Sequence, residues 1–369
     1  MNRCKRCGKL LFINTSSDML CKSCSQEIEK ERLREDARQI AEARALYESV
    51  KAQKTALDGG LSQTVGAESF RKRADSIDAY AETLKQLVRH PKIAAVISAD
   101  SVNIVGGSIL INGIGLVPFD YRPNGEIDVH FQSAIDQAVS NANRCRITAE
   151  NSERFLSDLR SLRTAQANIV QDTGEWPPSP LHLLKTKNVT QRTPLSKVSS
   201  FISVDVETTG LHPERDEIVE VAAIRFQSFQ PISCFHSFVK PRHGLRPEAV
   251  KVNGITWDKV INAPHYEQIS DSLNDFIGDC LPIVGHNLAF DYSFLTARGA
   301  ASQYISENRA FFDTLELSRR EFSVAKSFKL SALCLDVLNI STDVLHCADA
   351  DALCAGYLFR EICRRRIGI

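Results

Sequence analysis

The sequence predicts an α/β protein built in several parts: a short cysteine-rich module, a mostly helical region and a C-terminal α/β domain. Three observations carry this. Four of the eleven cysteines fall in two C-x-x-C pairs within the first 24 residues. Apolar residues then recur at helical spacing through most of residues 26–171. From Phe201 the period drops to two, and strand-like runs alternate with helical ones, as in α/β folds. A chain of 369 residues exceeds one ordinary domain. Its 43% hydrophobic and 24% charged residues exclude a collagenous or wholly disordered chain. No run approaches the roughly 18 apolar residues of a membrane span, and Met1–Leu20 lacks the apolar stretch of a signal peptide, so a cytoplasmic protein with no membrane partner is expected.

In chain order, residues 1–25 form the first module. Cys4-x-x-Cys7 and Cys21-x-x-Cys24 have 13 residues between them, enough to fold back and complete a tetrahedral four-thiolate site. Gly8 suits the turn after the first pair. The cluster resembles a zinc ribbon, which implies one structural Zn2+ held by Cys4, Cys7, Cys21 and Cys24. Lys5, Arg6, Lys9 and Lys22 make it a candidate for nucleic-acid contact, with docking to a protein as the equal alternative.

Residues 26–171 read as mostly helical. A charged helix over 26–57 carries Leu33, Ile40 and Tyr47 seven apart, with Ala43, Val50 and Leu57 as a second seven-spaced set; this is a stripe packed on neighbouring elements. A second helix follows Gly59-Gly60 with Phe70, Ala74, Ile77, Ala81, Leu84 and Val88 on one face, ending near His90-Pro91. Turn signals at Gly106-Gly107 and Pro123-Asn124-Gly125 bracket β-rich runs, so a hairpin or small sheet is expected near 104–131. Helical pattern resumes over 133–170, with Phe155, Leu159, Leu162 and Ile169 on one face. Residues 172–199, rich in proline and basic residues, read as a linker.

Residues 200–369 hold the chemistry. In Phe201-Ile202-Ser203-Val204-Asp205-Val206-Glu207 the alternation turns Ile202, Val204 and Val206 one way and Asp205 and Glu207 the other. Two carboxylates on one face repel unless a cation lies between them, and a divalent metal is the usual answer. Further strands are expected near 217–227, 232–240 and 282–285. In Gly285-His286-Asn287-Leu288-Ala289-Phe290-Asp291 an apolar strand end runs into a helix, with Asn287 and Asp291 on one helical face. In His346-Cys347-Ala348-Asp349-Ala350-Asp351 a histidine precedes a helix on which Asp349 and Asp351 point apart, so only one of these two joins the site.

The motifs VDVETTG, GHNLAFD and HCADAD, in that order, resemble the three exonuclease motifs of the DEDD superfamily in its histidine branch, the epsilon-like proofreading group above all. Phe238-Val239-Lys240-Pro241, Val252-Asn253-Gly254-Ile255-Thr256, Phe312-Asp313-Thr314 and Leu330-Ser331-Ala332-Leu333 fit the same resemblance. It covers about residues 200–369. It implies an RNase H-like domain with a mixed five-stranded sheet, and a metal-dependent 3′-5′ exonuclease releasing nucleoside 5′-monophosphates. Carried over by position, it makes Asp205, Glu207, Asp291 and Asp351 the ligands of two Mg2+ or Mn2+ ions and His346 the general base. Thr208, Asn287 and Phe290 become contacts to the terminal nucleotide. Carboxylates suit these hard cations, and imidazole is the side chain that exchanges protons near neutral pH.

Residues 1–199 carry 28 Lys+Arg against 23 Asp+Glu and the remainder 17 against 22, so a +5 part is joined to a −5 part. The basic part is an expected source of attraction for a polyanion. The expected partner is a single-stranded or 3′-terminal nucleic acid, DNA ahead of RNA, with a polymerase or another protein as a candidate partner of the N-terminal half. The rival reading is a non-catalytic protein that uses a nuclease-like domain and finger to recognise nucleic-acid ends; retention of His346 argues against it.

Overall fold

The computed structural model describes residues 3–9, 20–60, 64–97, 103–105, 108–111, 114–121, 127–175, 194–297, 309–341 and 346–367. Most of the Pro-rich stretch expected to be a linker, and both turn signals expected around the small sheet, lie outside these residues. The chain divides into two compact units, one of residues 1–64 and 69–146, the other of 65–68 and 147–369. Among the described residues, no helix is long and apolar enough to cross a membrane.

The first unit contains helices α1 (Lys22–Gly59), α2 (Gly66–Arg89) and α3 (Ile93–Ile97), and an antiparallel sheet of β1 (Asn103–Val105), β2 (Ser108–Ile111), β3 (Gly115–Tyr121) and β4 (Ile127–Val129) in sequential order. Helix α4 (Gln132–Thr173) begins in it. Its core joins Tyr47 and Val50 of α1 to Ile77 and Leu84 of α2, Ile111 of β2 and Val117 of β3. The seven-spaced stripe on α1 is buried only in part: Ala43, Tyr47 and Val50 are covered, whereas Leu33 is 57% exposed. That is the outcome for a helix packed on neighbours over part of its length.

The second unit is built on a five-stranded sheet in the order β7-β6-β5-β8-β9. Its strands are β5 (Phe201–Thr208), β6 (Ile218–Gln227), β7 (Gln230–Phe238), β8 (Ile283–Gly285) and β9 (Phe311–Asp313). The β5–β6 and β6–β7 pairs are antiparallel, and β5–β8 and β8–β9 parallel, so the sheet is mixed. Residue alternation on the central strand β5 serves two cores. Ile202, Val204 and Val206 pack with Leu273 and Phe276 of α7 (Tyr266–Ile277) and Phe294 of α8 (Leu288–Ala297). Phe201 packs on the opposite side with α11 (Ala348–Ile367), where its ring meets Phe359 edge-on at 4.9 Å. Asp205 and Glu207 follow Phe201 at even spacing and so emerge on the α11 side.

Apart from residues 65–68, the unit that holds this sheet begins at residue 147. Phe155, Leu159 and Leu162 of α4 belong to the same buried cluster as Phe201, Phe226 and Phe359. The Asp158 carboxylate accepts from the Tyr357 hydroxyl at 2.5 Å, and Asn151 donates to the Leu338 carbonyl at 3.0 Å. The helical period over 133–170 marks a buried face without revealing what buries it, which is why a boundary at 172–199 looked natural. Replacing Leu159 by Ala should lower the unfolding free energy of the unit by about 2–5 kcal/mol, the cost of a buried leucine. Chemical denaturation followed on the unit's tyrosine and tryptophan signals checks this; a loss within the usual range of a surface change, about 0.5 kcal/mol, would place α4 outside that core.

Candidate active site

Asp205 and Glu207 sit near the end of β5 and Asp351 in the first turn of α11, and one carboxylate oxygen from each lies within 4.8 Å of the others. Burial raises all three. Asp205 is pushed well above the usual carboxylate range, first by desolvation and then by the charges of Asp291, Asp351 and Glu207. Glu207 rises to about 8, again by burial first and by Asp351 second. Asp351 rises to about 7 through burial, although the His346 N–H, at 3.4 Å from its Oδ1, opposes this.

Asp291, on α8, stands beside the trio. It is 3% exposed, and its Oδ1 accepts the Val206 N–H at 3.0 Å. Burial pushes its carboxyl well above the usual range despite that bond, and Glu207 adds to the shift. Its charge acts in turn on Asp205. The chain therefore brings four carboxyls into one electrostatic group, with three oxygens at ligand spacing and the fourth residue bonded to the strand between them.

The backbone around the site departs from common conformations at two of the expected residues. His346 has φ 78° and Asn287 φ 63°, values that favour glycine. Such strain persists only where surroundings impose it, and it gathers at functional positions. The Asn287 N–H donates to Asp313 Oδ1 at 2.9 Å, and the same oxygen caps α9 (Thr314–Glu321) by accepting the Leu315 N–H at 2.9 Å. The His286 ring is held between the Thr314 hydroxyl and the Phe328 carbonyl, each at 3.0 Å. The His346 and Asn287 side chains are exposed.

Thr208 is buried and its hydroxyl donates to the Gly210 carbonyl at 2.6 Å, while Asn253 donates to the Thr208 carbonyl. Asn253 ends α5 (Pro247–Asn253), a short helix with proline at its first turn and Gly254 in the left-handed conformation at its end. A Cβ on Gly210 would meet the Asp216 carboxyl at 2.4 Å, so only glycine allows the turn after β5. Phe290 is half-buried against Phe294. A cleft of ≈ 660 Å³ opens beside Asn287 and is lined by Arg319, Lys326, Phe328 and Lys329 among others.

At the other end of the chain the sulfurs of Cys4, Cys7, Cys21 and Cys24 lie within 4.8 Å of one another. Gly8 turns with φ 74° and its N–H donates to the Cys4 carbonyl at 2.9 Å. The N–H of Cys21 points at Cys4 Sγ at 3.3 Å, and such donors lower the Cys4 thiol to about 6.

The sequence reading passed over Glu220, His236 and Arg163, which form a network with the buried Asp349 behind the trio. Glu220 did leave a signal, a lone carboxylate in the apolar run Ile218-Val219-Glu220-Val221-Ala222-Ala223. Arg163 left none, since its partner lies 186 residues away.

Residues 202–359 match the family model RNase_T, described as Exonuclease. Among curated proteins, the chain is 32% identical over 168 residues to DNA polymerase III PolC-type of Oceanobacillus iheyensis, covering 46% of this chain and 12% of that protein. It is 30% identical over 155 residues to the 3′-5′ exonuclease DinG of Staphylococcus epidermidis, covering 42% of this chain and 17% of that one. A solved exonuclease I structure aligns with TM-score 0.40 at 22% identity, over 45% of this chain and 41% of that one. Exonuclease X in complex with 5′-overhanging duplex DNA aligns with TM-score 0.35 at 19% identity, over 46% and 93%. The chain thus spans only a small share of the curated relatives it matches.

Once unfolded, Glu207 and Asp351 ionise near pH 4, like ordinary carboxyls. Folded, they keep their protons up to about 8 and about 7. Folding takes up protons in between, so the stability they contribute is full at acid pH and is lost as pH rises through those folded values. The melting temperature of metal-free protein should fall between about pH 6 and about pH 8.5, and Mg2+ should raise it more at the higher pH, because the cation replaces protons. A flat or rising melting temperature, with no larger Mg2+ effect at high pH, would contradict a buried carboxylate group.

Proposed function

We propose that residues 202–359 carry a metal-dependent 3′-5′ exonuclease of the histidine branch of the DEDD superfamily, acting on DNA ends. The observation that carries this reading is the meeting of Asp205, Glu207 and Asp351 within 4.8 Å, on a domain of the exonuclease family. The donor set fits the cations this reading needs. All its members are hard carboxylate oxygens, and Mg2+ or Mn2+ prefers oxygen ligands. Asp205, Glu207 and Asp351 would hold two such ions, with Asp291 as the fourth ligand. Bound there, the ions would supply positive charge to the attacking and leaving oxygens of an in-line phosphoryl displacement.

The chain's own residues then divide the remaining work. His346, exposed at the front of α11, takes the proton of the water that attacks the terminal phosphorus; the bond to the 3′ oxygen breaks and a nucleoside 5′-monophosphate leaves. Asn287, Phe290 and the Thr208 backbone hold the terminal nucleotide. Arg319, Lys326 and Lys329, in the cleft beside Asn287, offer cations to a phosphate backbone. DNA is the proposed substrate because the relatives' names tie them to DNA polymerase III and to 3′-5′ exonuclease activity. Cys4, Cys7, Cys21 and Cys24 hold one structural Zn2+, for which four thiols at this spacing and a lowered Cys4 thiol are a fitting set. The N-terminal part serves as a docking region for nucleic acid or a protein partner such as a polymerase.

Asp205→Ala should abolish Mg2+-dependent digestion of a 3′-labelled strand. His346→Ala should lower kcat by roughly 100-fold or more while Mn2+ affinity stays near that of the parent protein, since a general base and no ligand is removed. Full activity in the first variant, or lost Mn2+ affinity in the second, would reassign the residue. Elemental analysis should find one zinc per chain, lost in Cys21→Ala/Cys24→Ala; a zinc-free parent protein, or zinc retained in that variant, would defeat the finger.

A further inference from the structure

Behind the carboxylate trio lies a set of polar side chains, built on the buried Glu220 and Asp349, that the reaction above leaves unused. Glu220, 1% exposed, faces Glu207 across the β5–β6 ladder. It divides its carboxylate between His236 Nε2 at 2.7 Å and the Ala348 N–H at 3.2 Å. Asp349, fully buried, accepts from Arg163 Nε at 2.5 Å and Nη2 at 2.8 Å, a two-pronged pair. Three residues further along α4, Gln166 bonds both backbone groups of His236, donating to its carbonyl at 2.9 Å and accepting its N–H at 2.8 Å. Because β7 is an edge strand, Gln166 satisfies groups that would otherwise be open.

Glu220, His236 and Asp349 offer ligand atoms within 4.8 Å of one another, but these atoms are already used. Both Asp349 oxygens face Arg163, and His236 Nε2 faces Glu220. The arrangement is a clamp on the first turn of α11. Ala348 is held by Glu220 and Asp349 by Arg163, and Asp351, two residues on, belongs to the trio.

We propose that Arg163 is a positioning residue for the metal-binding carboxylates, acting through Asp349, so that a helix N-terminal to the family-matched segment completes the site. Two carboxylates of one helical turn go to different places, Asp351 to β5 and Asp349 to Arg163. The two-pronged Arg163–Asp349 pair fixes the rotation of the turn that also carries Asp351. Without the guanidinium, Asp349 is a buried carboxylate left with only the Ala350 N–H and the nearby His236, a costly state. The turn then relieves it by shifting toward water, which displaces Asp351 and the strained His346 before it.

The activity arm of the test rests on the nuclease reading, and the metal-binding arm does not. Mn2+ affinity is measured by calorimetry, and kcat and KM on a short single strand, for the full chain and for Arg163→Met, Arg163→Lys and Arg163→Met/Asp349→Leu. Loss of an outer partner of a metal ligand typically costs about 10–100-fold in affinity or activity. Arg163→Met, melting above the assay temperature, should lose about 10-fold or more in both Mn2+ affinity and kcat, with KM within about threefold. The double variant should recover most of this, since it removes the orphaned charge together with its partner. Wild-type Mn2+ affinity in folded Arg163→Met overturns the proposal. So does a double variant as impaired as the single one. If Arg163→Met does not fold, Arg163→Lys and the double variant decide: weakened Mn2+ binding in the first with recovery in the second supports the clamp, and any other pair of results overturns it. Mn2+ binding that depends on Arg163 in a chain without nuclease activity would uphold the clamp and defeat the reaction.

Discussion

Holding Asp205, Glu207 and Asp351 within 4.8 Å of one another is the constraint on which the catalytic unit turns. Two like charges at 4 Å repel by about 4 kcal/mol at an effective dielectric of about 20, and Asp291 and Glu220 add to the crowd. No polypeptide keeps such a group without a rigid frame. The frame here is a central strand with apolar cores on both faces, one built with α7 and α8 and one with α11. Burial first, and the neighbouring charges after it, raise the pKa values of this group, where the proposed function needs divalent cations.

Around that group, backbone donors orient the acids. Val206 bonds Asp291 and His346 bonds Asp351, so the strand and the loop before α11 each hold a carboxyl from another element. The left-handed His346 and Asn287 and the crowded Gly210 lie at the same end of the sheet. Two of the positive-φ residues thus lie where the charge gathers, and the apolar layers on either side of the sheet sustain both. The four-cysteine cluster belongs to the other unit, where four sulfurs lie within 4.8 Å of one another.

Legibility in the sequence followed the range of the interaction. Period-two alternation was enough to place Asp205 and Glu207 on one face, and helical geometry was enough to see that Asp349 and Asp351 diverge. Helical geometry alone could not say which aspartate met β5, because that depends on Glu207 and Arg163, both remote in the chain; the motif resemblance chose Asp351. The strand at Phe311–Asp313 is only three residues long and carries no period; it is a strand because β8 pairs with it. The packing of Phe155, Leu159 and Leu162 against the sheet was equally silent. A helical stripe reports that a face is buried and gives no address, so the matched segment at 202–359 and the folded unit that starts at 147 differ.

The central claim is that this carboxylate group serves removal of nucleotides from DNA 3′ ends. Mass spectrometry of the products from a single-stranded oligodeoxynucleotide of known sequence, incubated with the full chain and Mg2+, tests it most directly. The account predicts nucleoside 5′-monophosphates released in order from the 3′ terminus, with the remaining strand ending in a 3′ hydroxyl. Internal cuts, products bearing 3′-phosphates, release from the 5′ end or an intact oligonucleotide would contradict it.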